Sequence, residues 1–123
     1  MEIYSTIPIS KEEIPKILPE KLKGLLDKGE VVIIVDCNPP DLFVAEHIPG
    51  AINLAWNFQG LQEDPELPKN KTIVAYCLCA NEEDSGEVAL QMIASFGYRN
   101  IQLLLGGNTA WKNMGYPMEK GVS

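Results

Sequence analysis

Most of the chemistry available to these 123 residues resides in three cysteines, one histidine and a short run of acids. Cys77 and Cys79 flank Leu78, and Ala80, Asn81, Glu82, Glu83 and Asp84 follow before Ser85. Ahead of Cys77 stands the β-branched and aromatic run Thr72 to Tyr76, which predicts a buried parallel strand. Beyond Ser85, residues Val88, Ala89, Met92, Ile93 and Phe96 fall on one face of a helix. A cysteine at the carboxyl end of a strand, followed by a loop and a helix start, occupies the place where open α/β sheets bind ligands. Amides of the loop and first helical turn can point at the sulfur there and stabilise a thiolate, the nucleophilic form.

The neighbouring residues qualify that chemistry. A carboxylate about 6 Å from a thiolate, at an effective permittivity near 20, would oppose it by about 3 kcal/mol before salt screening. Glu82, Glu83 and Asp84 therefore face outward if the cysteine is reactive; ahead of a helix they also suit the dipole and cap orphan amides. Cys79 has three readings: a resolving thiol, a second acceptor of whatever group the first cysteine takes up, or a small loop residue. A cys-x-cys metal half-site would need Cys37 and His47 to complete it, too thin a ligand set, so neither metal nor other cofactor is expected. His47 reads as a hydrogen-bonding turn residue and Cys37 as a packed one. Asp36 either orients loop amides or ends its strand. Trp111 and Tyr116 read as core or lid residues, and Trp56 and Phe58 as pocket wall or ordinary packing.

The elements that must position these residues follow from the pattern. Ser10 and Glu13 have capping-box spacing, with Pro15 limiting the turn. Strands are expected at 16–18, 31–35, 51–54, 72–76 and 101–105. Helices are expected from Pro19 to about Lys28, Asp41 to Glu46, Ser85 to Phe96 and Asn108 to Met114, with 57–71 an irregular connection. Strands alternating with helices imply an α/β fold with a mostly parallel sheet covered on both faces. Residues 1–15 read as an extension and 16–123 as one domain. A net charge of −7 argues against nucleic acid and anionic membrane as partners. No run is apolar enough to span a bilayer, and Met1-Glu2-Ile3-Tyr4 lacks signal-peptide character. The odd cysteine count excludes a full disulfide framework and favours a reducing cytoplasm.

Four segments in register, Val35-Asp-Cys-Asn38, EHIPGAINL (46–54), TIVAYC (72–77) and GGNTAWKNMGYP (106–117), resemble the rhodanese-like domain. The resemblance covers residues 16–118 and implies a three-layer fold with a central parallel sheet of about five strands flanked by helices. It also implies a sulfurtransferase whose cysteine, at the end of the fourth strand, accepts sulfane sulfur as a persulfide. The sulfur then passes to a nucleophilic acceptor without a metal. Strand position makes that cysteine Cys77. Rhodanese loops usually run shorter to the helix, and counting back from Ser85 selects Cys79 instead; the CLCANE sequence resembles a cys-x-cys variant of the family.

Donor and acceptor are then a small sulfur compound (thiosulfate, polysulfide or persulfide) and a thiol, cyanide-like or protein nucleophile. The loop Leu78, Ala80, Asn81, Glu82, Glu83, Asp84 and Ser85, with Asp36 and Asn38, would contact the substrate. Asn38 stands where many relatives have arginine, and the loop is acidic where theirs is often basic, so weak activity with dianionic thiosulfate is expected. The rival readings are a dithiol/disulfide module using Cys77 and Cys79, and a catalytically weak interaction module. Phosphatase chemistry is disfavoured, because Arg99 lies beyond the helix that follows the loop.

Overall fold

The computed structural model describes residues 10–55, 67–78 and 83–121. The first described residues form a turn of 3-10 helix at Lys11–Glu13, entered from Ser10, whose side chain makes no cap hydrogen bond of the kind the capping-box spacing predicts. Nine elements follow among the described residues: β1 (Lys16–Ile17), α1 (Pro19–Asp27), β2 (Val32–Asp36), α2 (Pro40–Ala45), β3 (Ile52–Asn53), β4 (Thr72–Tyr76), α3 (Glu83–Phe96), β5 (Ile101–Leu104) and α4 (Gly107–Asn113). Prolines at the first turns of α1 and α2 stand where the missing N–H costs nothing.

The strands form one sheet in the order β1-β5-β4-β2-β3, and every pairing is parallel. β4 is central, which accounts for its unbroken apolar run. Alternation along the strands divides the core into two layers. Val35, Cys37, Ile73, Ala75, Cys77, Ile101 and Leu103 pack under Val88, Ala89, Met92 and Ile93 of α3. Ile17, Ile34, Val74, Tyr76 and Leu104 pack on the opposite face against Leu22, Phe43 and Trp111 of α1, α2 and α4. The architecture is a three-layer α/β sandwich. Ile14, which the sequence places in the extension, is buried in the α3-side core.

Element boundaries shift by one or two residues from expectation, and two of the shifts bear on the site. α3 is already formed at Glu83, two residues before Ser85, because polar first-turn residues leave no apolar periodicity to read. Asp36 is the last residue of β2 and so ends the strand, one position past the expected Val35, pairing with Tyr76 on one side and Asn53 on the other. Trp56, Phe58 and most of the connection at 57–71 lie outside the described residues. No helix among the described residues is long and apolar enough to cross a membrane.

Candidate active site

The carboxyl ends of β2 and β4 meet at Cys77. Its side chain is buried, and its Sγ donates to Ser85 Oγ at 3.6 Å. Ser85 is itself fully buried in the first turn of α3, so strand and helix clasp the sulfur between them. A hydroxyl rotates freely: it accepts from the thiol in this state and donates to the sulfur once a thiolate forms.

Backbone flanking Cys77 is held by two asparagines. Asn108 N–H donates to Cys77 O at 3.0 Å, and Leu78 N–H donates to Asn38 Oδ1 at 2.8 Å. Asn38 Nδ2 in turn donates to Asn108 Oδ1 at 3.0 Å, closing a bridge between the turn after β2 and the first turn of α4. Leu78 is therefore one loop amide that is not free for the sulfur, contrary to the general expectation that loop amides point there. Both asparagines are buried, and the side-chain oxygens of both accept hydrogen bonds inside the protein.

Asp36 anchors the next shell inward. One carboxylate oxygen accepts Asn38 N–H at 2.8 Å and the other accepts Tyr76 O–H at 2.6 Å; Tyr76 Oη also accepts Ile48 N–H at 3.0 Å. Burial raises the Asp36 carboxyl above its usual range, against the lowering effect of these donors. Burial, and then the bond to Asp36, push Tyr76 far above the usual phenol range. Asn53 Nδ2 spans the carbonyls of Asp36 and Asn38 at 2.9 and 2.8 Å, fixing the turn that presents Asn38. Cys37, also buried, has its thiol pushed well up, first by desolvation and next by Cys77 and Asp36.

Of the acids, Asp84 is exposed in the first turn of α3, which leaves its charge solvated. Glu83 opens that helix; Cys79, Ala80, Asn81 and Glu82 lie outside the described residues. His47 is remote from the sulfur in its bonding: Nδ1 lies 2.8 Å from Phe43 O, Nε2 3.1 Å from Glu119 Oε2, and the ring stacks on Phe43 at 3.9 Å. Arg99 donates to the carbonyls of Ile93 and Tyr98 near the other end of α3. Trp111 is core, its Nε1 donating to Pro117 O at 2.8 Å and its ring edge-on to Tyr116. Among the described residues no three His, Cys, Asp or Glu side chains gather to hold a metal.

A five-stranded parallel sheet with a cysteine at the end of its central strand agrees with a family match: the rhodanese-like domain matches residues 18–114. The chain belongs to the rhodanese-like domain family. An uncharacterized Synechocystis protein, slr1261, is 36% identical to this rhodanese-like chain over 104 residues, covering 85% of it and 55% of the relative. The sulfur carrier protein TtuD of Thermus thermophilus is 28% identical over 109 residues, covering 76% of this chain and 38% of its own. The crystal structure of BH2092 from Bacillus halodurans superposes with a TM-score of 0.77 at 26% identity, covering 89% of this chain and 80% of that one. This rhodanese-like domain thus spans about half the length, or less, of the curated relatives it matches.

Asn108 is the residue that sequence reasoning missed. Its signal was the sequence Gly106-Gly107-Asn108, a tight turn into a helix that begins beside the end of the cysteine strand. Gly106 is needed there: its φ is 81°, and a Cβ would lie 2.5 Å from Ala110 Cβ.

Proposed function

We propose that this domain is a sulfurtransferase or sulfur carrier in which Cys77 is the persulfide-forming nucleophile. The observation that carries the reading is the seat of Cys77: the carboxyl end of the central strand, its sulfur 3.6 Å from a buried hydroxyl in the first turn of α3. Helix geometry supports Cys77 over Cys79. Counted from Glu83 instead of Ser85, the loop spacing that selected Cys79 selects the cysteine two residues earlier.

The reaction has two displacements. The Cys77 thiolate attacks the outer sulfur of a donor; with thiosulfate, its S–S bond breaks, sulfite leaves with the electron pair, and Cys77 holds a persulfide. An acceptor thiolate then attacks the outer sulfur, takes it as a new persulfide and returns Cys77 to thiolate. Ser85 donates to the sulfur whenever it is anionic. Asn38 and Asn108 hold the adjoining backbone, so the sulfur need not be repositioned between steps. The loop 78–85 receives the donor, which we take to be a persulfide or polysulfide in preference to dianionic thiosulfate. The reduced thiol that the cycle needs suits a cytoplasmic setting. The naming of one relative as a sulfur carrier supports the same class.

Peptide-mapped mass spectrometry after brief exposure to polysulfide or thiosulfate tests the reading. One added sulfur on Cys77, removed by cyanide and absent in Cys77→Ser, is expected. An adduct on Cys79 would move the nucleophile, and no adduct with thiols verified as reactive would replace the enzyme with an interaction module.

A further inference from the structure

Cys37 is a second buried thiol beside Cys77 that sulfur transfer does not use. The β2–β4 register runs from Val32↔Thr72 to Asp36↔Tyr76 and continues one residue further, since Cys37 N–H donates to Tyr76 O at 2.8 Å. Cys37 therefore sits opposite Cys77 across the seam. Both side chains belong to the α3-side core, whereas Ile34, Val74 and Tyr76 pack on the other face, so the two thiols project the same way. Neighbouring strands lie about 4.7–4.9 Å apart, inside the Cα separation of about 4.4–6.8 Å that a disulfide requires. The influence of Cys77 on the Cys37 thiol agrees with this closeness. Cys37 Sγ donates to Val35 O at 3.8 Å, and forming the disulfide requires its side chain to rotate toward Cys77.

We propose that Cys37 is a resolving thiol, which captures oxidised Cys77 as a reversible Cys37–Cys77 disulfide and so protects the nucleophile from irreversible oxidation. The oxidant is a small hydroperoxide. The Cys77 thiolate attacks the peroxide, the O–O bond breaks, and Cys77 becomes a sulfenic acid with loss of hydroxide. Cys37 sulfur then attacks the sulfenic sulfur; its S–H and the S–O bond break, an S–S bond forms, and the thiol proton leaves with the departing hydroxide as water. Two equivalents of an external thiol restore both cysteines. Cβ atoms directly opposite on parallel strands sit further apart than the mean of about 3.8 Å in disulfides, so the bond is strained and readily reduced. A labile bond suits protection rather than permanent stapling. The inference rests on Cys77 being the reactive thiol, not on persulfide transfer.

The test uses the full chain, as wild type and as Cys79→Ser, treated with hydrogen peroxide in a small molar excess sufficient for two oxidations per chain, alkylated under denaturing conditions and digested with trypsin. Cys37 falls in peptide 29–69 and Cys77 in peptide 72–99. The expected product in both proteins is these two peptides joined by a disulfide that dithiothreitol releases. In Cys37→Ser/Cys79→Ser, and in the alanine version, the same dose should instead carry Cys77 on to sulfinic acid. A Cys77–Cys79 disulfide with Cys37 alkylated, a stable Cys77 sulfenate beside alkylated Cys37, or a Cys77 inert to peroxide would each overturn the proposal. Persulfide uptake by Cys37→Ser, measured in parallel, keeps the two readings separate: its presence with no disulfide in wild type sinks the resolving role alone.

Discussion

At the scale of single residues, Cys37 and Ser85 give opposite tests of the Cys77 environment. Donating to an anionic sulfur is stronger than accepting from a thiol, so Ser85 Oγ favours the reactive form. Ser85→Ala should slow iodoacetamide alkylation of Cys77 in the Cys79→Ser background by about fivefold, the equivalent of roughly 1 kcal/mol for one hydrogen bond. Ser85→Thr should keep most of the rate; an unchanged rate in the alanine variant would reduce Ser85 to packing. Cys37 makes a stability prediction. Its thiol is raised in the fold from an ordinary value of 9.0, so the folded protein keeps a proton that the unfolded chain loses. The associated stability is fully present below pH 9 and is lost as pH rises toward the folded value, at about 1.4 kcal/mol per pH unit for one proton. Urea unfolding at pH 8, 9 and 10 should show that loss in wild type and a shallower slope in Cys37→Ala. The cavity cost of the alanine is removed by reference to pH 7. Parallel slopes would mean that Cys37 titrates freely in the fold.

Among the elements, the ends of β2 and β4 and the first turn of α4 act as one unit because buried polar groups join them. Tyr76 is the joint with the most consequences: its hydroxyl donates to Asp36 and accepts from Ile48, both buried. Tyr76→Phe leaves a carboxylate oxygen and an amide without that partner and should destabilise by about 2–4 kcal/mol. In the double variant Tyr76→Phe/Asp36→Asn part of the loss should return, because the buried charge has gone. A single-variant loss below about 0.5 kcal/mol in urea unfolding would show that water replaces the hydroxyl and that the joint is dispensable. These elements differ in how plainly the sequence declares them. β4 and the body of α3 are legible because burial dictates their patterns: a continuous apolar run, and Val88, Ala89, Met92, Ile93 at helical spacing. The first turn of α3 is not legible, since Glu83 and Asp84 carry no apolar mark. The Asn38–Asn108 bond joins residues 70 positions apart and exists only once the sheet has ordered its strands β5-β4-β2. Local propensity carries no information about such a contact. Asp36 and Asn38 were legible as residues near the site, but their partners Tyr76 and Leu78 were not.

For the whole molecule, the alternation of strands and helices made the α/β class legible, and the resemblance made the three layers legible; the division of the core into an α3 layer and an α1/α2/α4 layer came only with the packing. Charge is the other property that acts at this scale. The chain carries −7, and its one arginine is bonded to carbonyls near the end of α3 furthest from Cys77. A dianionic donor therefore approaches against the field of the entire protein with no local cation from arginine to offset it. Treating −7 as the charge of a salt-excluding sphere with the donor at its surface, about 20 Å from the centre, a dianion is repelled by about 1.7 kcal/mol at 10 mM salt and about 0.8 kcal/mol at 150 mM, where the screening length is about 8 Å. The difference corresponds to about a fourfold change in encounter affinity. Thiosulfate kcat/KM should therefore rise about fourfold over that range, mostly through KM, while a neutral organic persulfide or trisulfide donor shows no comparable rise. Screening acts on encounter and not on the displacement, so single-turnover persulfide formation at saturating thiosulfate should stay constant with salt. A thiosulfate KM that is flat or increases with salt would mean that a local cluster of lysines outweighs the net charge, and would remove the electrostatic reason for preferring an uncharged donor.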